Sequence, residues 1–344
     1  MKKILAILLT LGMIFMLVAC GNNKGVSSNN SNNNSGDISS TDSSNITSSN
    51  TQSNEHTSST THSNTSNGPT SSNTSSNKPS SSSATSSKPT VNTFLPTGDT
   101  FTLGNQKYSL SFFDDFNGTK LDTTKWDYCP EWQRGDVGGK WDDDMVTLDG
   151  NGLLHLNVGY KNGNLVSGGI RTITKNYRNL FTQSRGYFEI RCKLQSVPGF
   201  WSAFWLLGGN MNDNNSDNSA IDGVEIDIFE SFDLKNGVIN HALHYDGYST
   251  NHKSVGRETR DPSLYDGEFH KFALLWNEEG YYFYIDGIQT NKIDKRNLDF
   301  PGSFTGEAYM KITTECGTWA GTIDKNKLPD ALVVDYVRVY KEID

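Results

Sequence analysis

The stretch Val224-Glu225-Ile226-Asp227-Ile228-Phe229-Glu230 places three carboxylates in an otherwise apolar run. Burying charges without a purpose is costly, so this run indicates a functional site rather than a plain core strand. Alternation along a β-strand puts Glu225 and Asp227 on one face and the apolar residues on the other. Glu230 has the opposite parity. We therefore predict a β-bulge near Ile228-Phe229 that returns Glu230 to the face of the other two acids.

Two tryptophans, Trp201 and Trp205, precede this stretch and share the parity of one predicted strand. Sugar rings present C–H faces that stack on indoles, so both side chains could line a binding groove. Packing in the core is an equally good explanation for either tryptophan alone. An edge strand with solvated acids is the alternative for the acidic stretch itself, but the apolar residues on its other face argue against that reading.

Short aromatic and β-branched runs, separated by Gly, Asn and Asp, continue through the C-terminal region and indicate an all-β domain. The stretch from Phe272 to Lys292 predicts a meander, in which Asp286-Gly287 suits a two-residue primed turn. About eleven strands without an internal repeat favour a two-sheet antiparallel β-sandwich of the jelly-roll type, with a concave face as a groove. The predicted strands are Tyr108–Phe113, Leu153–Val158, Gly168–Thr172, Gly186–Leu194, Ser202–Leu207, Val224–Phe229, Ile239–Tyr245, His270–Trp276, Tyr281–Ile285, Ala308–Thr314 and Leu332–Tyr340.

The N-terminus predicts export. Met1-Lys2-Lys3 is followed by an apolar run from Ile4 to Ala19, which is typical of a signal peptide spanning residues 1–19. The sequence Leu17-Val18-Ala19-Cys20 resembles the bacterial lipobox, which implies lipidation of Cys20 and anchoring to the outer face of a bacterial cell membrane. An ordinary signal peptide with a chance cysteine is the alternative.

Residues 20–90 are nearly all Ser, Asn, Thr and Gly, and they predict a disordered linker because they cannot bury enough apolar surface to fold. Residues 91–344 then form one predicted domain. The formal net charge of −9 disfavours nucleic-acid binding, because a phosphate backbone would be repelled. An odd number of cysteines besides Cys20, namely Cys129, Cys192 and Cys316, argues against a disulfide-built scaffold.

The spacing Glu-x-Asp-x-x-Glu at Glu225–Glu230, preceded by Gly199-Phe200-Trp201-Ser202-Ala203-Phe204-Trp205-Leu206-Leu207, resembles glycoside hydrolase family 16. The spacing is similar to the laminarinase-like branch of that family, whose motif carries a bulge. The resemblance spans about Phe112 to Tyr340 and implies a concanavalin-like jelly roll with a concave substrate cleft. Further matching segments are Phe112-Phe113-Asp114-Asp115-Phe116-Asn117-Gly118, Ser167-Gly168-Gly169-Ile170-Arg171-Thr172, Gly186-Tyr187-Phe188-Glu189-Ile190-Arg191 and Val334-Asp335-Tyr336-Val337-Arg338-Val339-Tyr340.

The resemblance implies a retaining endo-glycosidase that cuts internal β-glycosidic bonds by double displacement. Glu225 is the expected nucleophile, Asp227 assists it, and Glu230 is the expected acid/base. A β-1,3- or mixed-linkage β-glucan is the expected substrate. An endo-β-galactan or galactoside hydrolase, a transglycosylase and a non-catalytic lectin stay open as alternatives.

The resemblance also implies substrate-binding residues. Trp201, Trp205, Arg171, His244 and Trp319 are expected to contact the polysaccharide; a structural ion pair is the alternative for Arg171, and loop packing is the alternative for Trp319.

Catalysis by this family needs no cofactor, and we expect a monomer. A structural calcium ion is implied, held by the backbone oxygens of Asp115 and Gly152 and by the carboxylate of Asp335. Oxygen-only ligands of this kind suit calcium.

Overall fold

The computed structural model describes residues 96, 98–131, 133–134, 138–209, 211, 220–294 and 304–343. The chain divides into two units, and the described residues belong to the unit that includes Pro89–Asp344. The predicted signal peptide, the lipidated Cys20 and the linker lie outside the described residues. Within the described residues, no helix is long and apolar enough to cross a membrane.

The described part of the chain is built from short and medium β-strands joined by turns. The strands are β1 Thr100–Leu103, β2 Gln106–Asp114, β3 Asp127–Tyr128, β4 Gln133–Arg134, β5 Gly139–Trp141, β6 Val146–Leu148, β7 Leu154–Lys161, β8 Asn164–Ser167, β9 Gly169–Arg171, β10 Gly186–Lys193, β11 Phe200–Gly209, β12 Gly223–Asp233, β13 Val238–Tyr245, β14 Lys253–Arg260, β15 His270–Asn277, β16 Gly280–Ile285, β17 Ile288–Asp294, β18 Ala308–Cys316 and β19 Asp330–Ile343. Short 3₁₀ helices cover Asp143–Met145, Pro262–Tyr265, Thr318–Ala320 and Lys325–Lys327.

These strands form two sheets. The larger has twelve strands, in the order β17-β16-β15-β10-β19-β7-β8-β5-β4, with β1, β2 and β6 paired beside this path. The smaller has seven strands, in the order β14-β13-β12-β11-β18-β9-β3. All pairs are antiparallel except β5 with β8. The predicted two-sheet antiparallel sandwich is confirmed.

The apolar face of β12 shows how the sheets hold together. Val224, Ile226 and Ile228 are fully buried in one core cluster with residues from both sheets. The rings of Phe229 in the smaller sheet and Phe272 in the larger have centroids 4.4 Å apart. Full burial of each such side chain contributes roughly 1.5–3 kcal/mol, so the core fixes which face of β12 points inward.

All eleven strands predicted from the sequence are present. At Asp286-Gly287 both residues have positive φ, 48° and 78°, and Ile285 pairs with Ile288, so the predicted two-residue primed turn is confirmed. Cys129, Cys192 and Cys316 are buried, and none of the three forms a disulfide with another described residue. The sequence reading missed the shortest strands, whose few residues carry little apolar periodicity, and β14, whose eight residues are mostly polar or charged.

Strand β14 forms one edge of the seven-stranded sheet and pairs only with β13 in that sheet. Its residues alternate between half-buried and exposed, and none is fully buried. Basic and acidic side chains occupy much of it, among them Arg257, Glu258 and Arg260.

Candidate active site

The three acids of the opening motif lie on β12, where the strand register is interrupted. Along β11, Trp205 faces Asp227 and Phe204 faces Phe229, so Ile228 has no opposite residue. The β13 side shows a register shift over the same residues, between Asp227 and Glu230. The predicted bulge is therefore confirmed. It turns the consecutive residues Ile228 and Phe229 into the core, which leaves Glu230 on the face that carries Glu225 and Asp227. We call this face of the smaller sheet, opposite the core, the site face.

A buried histidine, which the sequence reading missed, supports the bulge. The Nδ1 of His241 donates to the carbonyl oxygen of Ile228 at 2.6 Å, and its ring stacks on Phe283 with centroids 4.5 Å apart. Burial lowers the pKa of His241 to about 4, so the ring is neutral at neutral pH. The carbonyl that the bulge removes from the β-ladder thus keeps a donor. Only the cross-strand register reveals this role.

Burial and the repulsion between neighbouring acids raise the pKa values of Asp227 and Glu230. Burial raises the pKa of Asp227 to about 6, and the nearby charge of Glu225 adds to the rise. Burial also raises the pKa of Glu230 well above its usual value, with Asp227 as the next cause. Asn240 donates from Nδ2 to Glu230 Oε2 at 3.0 Å. Glu230 is therefore able to retain a proton at a higher pH than an exposed glutamate.

His244 on β13 faces Glu225 in the register and carries the positive charge of the site. Burial alone would lower the pKa of His244, but the carboxylates of Asp227, Glu225 and Glu230 outweigh it and raise this pKa to about 9. Its Nε2 lies 3.2 Å from Asp227 Oδ2, an ion-pair contact that is not aligned as a hydrogen bond. The structure thus brings the predicted His244 together with the predicted acids.

A second histidine, also missed from the sequence, lies behind His244. The Nδ1 of His244 is 2.9 Å from Nε2 of His252, and the two rings stack with centroids 5.1 Å apart. Burial, followed by the charge of His244, lowers the pKa of His252. A protonated His244 therefore donates to a neutral His252, which fixes the orientation of the His244 ring.

Tyr248 reaches the site from the loop that joins β13 to β14. Its hydroxyl donates to Glu225 Oε2 at 2.5 Å. Burial, followed by the charge of Glu225, raises the pKa of Tyr248 well above its usual value. No pattern in the sequence predicts this contact, because a single tyrosine in a loop has no periodicity that would indicate its direction.

An aromatic cluster adjoins Glu230. The rings of Trp319 and Phe232 stack with centroids 3.9 Å apart, and Trp201 meets Trp319 edge to face at 5.4 Å. All three side chains are half-buried, so they retain surface for a ligand. The structure brings the predicted Trp201 and Trp319 together, and it adds Phe232, which stacks on Trp319 and lies two residues after Glu230, where the register between β12 and β13 shifts a second time.

Trp205 lies apart from this cluster. Its side chain is only 7% exposed, and its Nε1 donates to Thr313 Oγ1 at 3.1 Å. The Nζ of Lys311 lies 3.6 Å from the centre of its ring and 4.7 Å from that of Trp141. One face of Trp205 is therefore already covered by a cation and is closed to a stacked sugar.

Arg171 on β9 is also buried on this sheet, where it pairs in register with Lys311. Its Nη2 donates to the carbonyl oxygen of Thr174 at 2.9 Å, and its guanidinium lies 5.7 Å from the ring centre of Tyr177. Its Nε has no hydrogen-bond partner among the described residues. The contacts recorded for Arg171 are thus local ones, and they do not include Glu225, Asp227 or Glu230.

The calcium ligands implied by the resemblance are only partly assembled. A Cβ added at Gly152, whose φ is +94°, would lie 3.2 Å from Asn117 Oδ1 and 3.6 Å from the carbonyl oxygen of Asp115. Oxygen atoms therefore converge at this glycine. The carboxylate of Asp335, however, forms an ion pair with Arg191. The charged ligand would have to leave Arg191 to complete the set, so the residues present fit a cation incompletely.

Glu225, Asp227 and His244 also lie close enough to hold a metal ion, with one ligand atom from each within 4.8 Å of the others. Both ring nitrogens of His244 already have protein partners, Nε2 at Asp227 and Nδ1 at His252. The arrangement therefore suits a network of charged hydrogen-bonding groups better than a metal centre.

Comparison with known proteins adds sequence similarity to this geometry. The family model described as Beta-porphyranase A-D, GH16 domain, matches residues 107–342. The chain is 26% identical over 272 residues to the glucan endo-1,3-beta-glucosidase A1 of Niallia circulans, covering 68% of this chain and 38% of that protein. It is 26% identical over 258 residues to the keratan-sulfate endo-1,4-beta-galactosidase of Sphingobacterium multivorum, covering 70% of this chain and 57% of that protein.

The fold is similar to that of the endo-beta-1,3-glucanase from Pyrococcus furiosus, with a TM-score of 0.60 and 22% sequence identity. The match covers 72% of this chain and 100% of that chain. The chain spans less than two thirds of the two curated relatives, so the similarity to them concerns one region of each. All the site residues above fall within the range that the family model matches.

Proposed function

Because the chain belongs to glycoside hydrolase family 16, we propose that it is a retaining endo-glycosidase that hydrolyses internal β-glycosidic bonds of a β-1,3- or mixed-linkage β-glucan. The observation that carries this proposal is the bulge in β12, which places Glu225, Asp227 and Glu230 on one face of the sheet. A chain that bound sugars without chemistry would have no need for three partly desolvated acids beside a charged histidine.

The proposed reaction has two steps. Glu225 attacks the anomeric carbon while Glu230 gives its proton to the departing glycosidic oxygen, which leaves a covalent glycosyl-enzyme ester. Glu230 then takes a proton from water as the water oxygen attacks the same carbon, and the ester bond to Glu225 breaks. The raised pKa of Glu230 suits the first step, because the carboxyl must begin protonated.

The negative charge of Asp227 lies between the two glutamates in sequence and contributes to the raised pKa of Glu230. His244 contacts Asp227 and compensates part of the total negative charge. We propose that these two residues hold the site at one net charge through both steps, so that the proton of Glu230 is the one that moves.

The glucan assignment is supported by the similarity to the glucan endo-1,3-beta-glucosidase of Niallia circulans. A β-galactoside substrate is the second candidate, because the chain matches the keratan-sulfate endo-1,4-beta-galactosidase at the same identity. A transglycosylase would share the covalent intermediate but pass the sugar to another sugar, and longer products would reveal it. A lectin would bind the polysaccharide without releasing reducing ends.

The experiment is reducing-end release by the purified chain on laminarin, lichenan, agarose and galactan, with Glu225→Ala as the matched blank. We expect release from laminarin or lichenan and none from the blank. Release from galactan or agarose alone would replace the glucan assignment with the galactoside one. If the chain releases no reducing ends from any of the four polysaccharides but still binds one of them, the lectin alternative is favoured.

We propose that Cys20 is lipidated, that residues 20–90 tether the domain at the outer face of a bacterial membrane, and that the protein acts as a monomer. The lipobox-like residues 17–20 and the polar composition of the linker support this. A Cys20→Ala variant should leave the membrane fraction and appear in the medium. Equal membrane retention of both forms would contradict the anchor, and sedimentation of the released form tests the monomer.

We also propose a structural calcium ion near Gly152, supported by the convergence of the Asp115 and Asn117 oxygens there. An ion that binds only the folded state adds about 2.7 kcal/mol at a concentration 100 times its Kd. Calcium should therefore raise the Tm of the wild type but not of Asp335→Asn. An equal Tm in calcium and in EDTA would contradict the proposal that calcium binds at this site.

A further inference from the structure

The loop between β13 and β14, residues 246–252, carries Tyr248, which contacts Glu225, and His252, which contacts His244. It begins with two consecutive residues of positive φ, Asp246 at 58° and Gly247 at 76°. The carboxylate of Asp246 is buried and lies 2.6 Å from Lys253 Nζ, at the start of β14. This ion pair ties the two ends of the loop together, so the loop has a defined path over the site face.

Tyr248 and His252 extend from this path toward two different residues of the site, Glu225 and His244. Tyr248 donates to Glu225 Oε2, whereas His252 contacts Asp227 only through His244. The hydrogen bond from Tyr248 is short, at 2.5 Å, as expected for a hydroxyl that donates to a charged carboxylate. Glu225 is therefore held by one loop residue whose only polar group is a hydroxyl.

We infer that Tyr248 is a positioning residue for the nucleophile: its hydroxyl holds Glu225 Oε2 and so presents the other carboxylate oxygen, Oε1, to the anomeric carbon. This inference rests on the proposed function. A carboxylate oxygen that accepts a strong hydrogen bond is the poorer nucleophile of the two, because its charge is already partly neutralised. Fixing one oxygen therefore selects the attacking one.

The contact also acts differently in the two steps. When Oε1 bonds to the anomeric carbon, the glycosidic C–O bond breaks and the proton of Glu230 goes to the departing oxygen. Tyr248 keeps its proton and donates to Oε2, now an ester carbonyl. When water attacks, the ester C–O bond breaks and the electron pair returns to Glu225 as a carboxylate. A hydrogen bond to a carboxylate is stronger than one to an ester, so Tyr248 stabilises the group that leaves in the second step.

Tyr248→Phe tests this, because it removes the hydroxyl and keeps the ring. With an aryl oligosaccharide as substrate we expect kcat to fall about 10²-fold, the range for loss of one donor to a developing charge. KM should fall with it, because the glycosyl-enzyme accumulates when its breakdown slows. A pre-steady-state burst and a covalent adduct on the peptide that contains Glu225 should appear in the variant.

The matched control is Tyr265→Phe, which removes a hydroxyl that donates to the Val238 carbonyl at 2.9 Å, at the far end of β13. This change should lower the Tm without altering the burst or KM. A purely structural role for Tyr248 would make both variants behave alike. Wild-type kcat and KM in Tyr248→Phe would overturn the inference.

A second measurement does not depend on turnover. Carbon-13 NMR of labelled glutamate carboxyls, assigned with Glu225→Gln, follows the titration of Glu225 directly. Loss of a donor to the ionised form should move the titration midpoint to higher pH in Tyr248→Phe and leave it in place in Tyr265→Phe. If the wild type hydrolyses none of the polysaccharides but this midpoint still moves, the contact stands and the proposed function fails. An unmoved midpoint counts against the inference in either case.

Discussion

Each of the two sheets holds a glutamate whose carboxyl has lost most of its water, and the two carboxyls have different partners. Glu189, on β10 of the twelve-stranded sheet, accepts hydrogen bonds from the hydroxyls of Tyr336 at 2.8 Å and Tyr187 at 3.1 Å. Glu230, on β12 of the seven-stranded sheet, accepts one from Asn240 at 3.0 Å. Burial raises the pKa of both glutamates.

The charges near the two glutamates separate them further. Lys271 and Arg338 act to lower the pKa of Glu189. Asp227 acts to raise the pKa of Glu230, the positive charge of His244 opposes that rise, and Glu225 adds a smaller rise. A buried carboxylate that accepts two hydrogen bonds and has two cations nearby is part of the scaffold, because its polar atoms have partners. A buried carboxyl that lies near other acids keeps its proton to a higher pH, so it can donate that proton in a reaction.

Replacing each glutamate by glutamine tests whether the two buried carboxyls have different roles. Glu230→Gln should lower turnover by about 10³- to 10⁴-fold, because general acid catalysis is lost while the shape of the side chain remains. Its Tm should stay close to that of the wild type. Rates on laminarin or lichenan, with circular dichroism melts, measure both effects.

Glu189→Gln is the matched control. It should lower the Tm, since two tyrosine hydroxyls and two cations lose a charged partner, but turnover per folded molecule should stay within about twofold of the wild type. A large loss of turnover in Glu189→Gln, or wild-type turnover in Glu230→Gln, would contradict the structural role of Glu189 or the catalytic role of Glu230, respectively.

A second test concerns pH. The acid must be protonated at the start of the reaction, so turnover falls as the pH rises through the raised pKa of Glu230. Asp227→Asn removes a charge that raises this pKa, and the basic limb of the kcat/KM profile should move to lower pH. We expect turnover to drop about 10²-fold as well, because Asp227 helps to orient the site.

The matched comparison is again Glu189→Gln, whose basic limb should coincide with that of the wild type. Profiles measured from acid to alkaline pH at constant ionic strength decide this. A basic limb that stays in place in Asp227→Asn would mean that the charge of Asp227 does not reach Glu230.

The bulge offers a third test. His241→Leu leaves the Ile228 carbonyl without its donor in a buried place, at a cost of about 1–3 kcal/mol. Because that carbonyl shapes the turn that presents Glu230, turnover should fall roughly tenfold in the molecules that remain folded. His155→Leu, on β7 of the other sheet, is the control and should change neither quantity by much. Equal effects of both changes would show that His241 only fills space.

A substitution in the aromatic cluster of Trp201, Phe232 and Trp319 should change the kinetics only mildly. Phe232→Ala removes a ring that stacks on Trp319, and aromatic pairs contribute about 0.5–1.5 kcal/mol beyond buried area. KM should rise about threefold to tenfold while kcat changes little, since the cluster lies beside Glu230 without touching it. A drop in kcat with KM unchanged would instead place Phe232 in the chemistry.

The sequence alone predicted those structural features whose information lies within one strand or one turn. The parity conflict among Glu225, Asp227 and Glu230 predicted the bulge, because a core strand cannot bury acids and a one-residue insertion is the local remedy. The pair Asp286-Gly287 predicted its own turn, since both residues tolerate positive φ.

What the sequence could not supply depends on neighbours that are distant in the chain. His241 supports Ile228 only because β13 pairs with β12 in one particular register, and periodicity within either strand does not contain that register. Tyr248 and His252 reach the site from a loop whose path is set by tertiary contacts. Parity placed Trp205 on the correct face, but the burial of that ring depends on Lys311 and Trp141, which come from two other strands.

Edge strand β14 affects whether copies of the molecule associate with one another. An unprotected sheet edge is a template on which another chain can add a strand, and growth of this kind leads to aggregates. Here the edge carries side chains of both signs, including Arg257, Glu258 and Arg260, and none of its residues is fully buried. A second copy that paired with it would have to strip water from these charges. We therefore expect the domain to remain dispersed even when many copies are crowded on one surface.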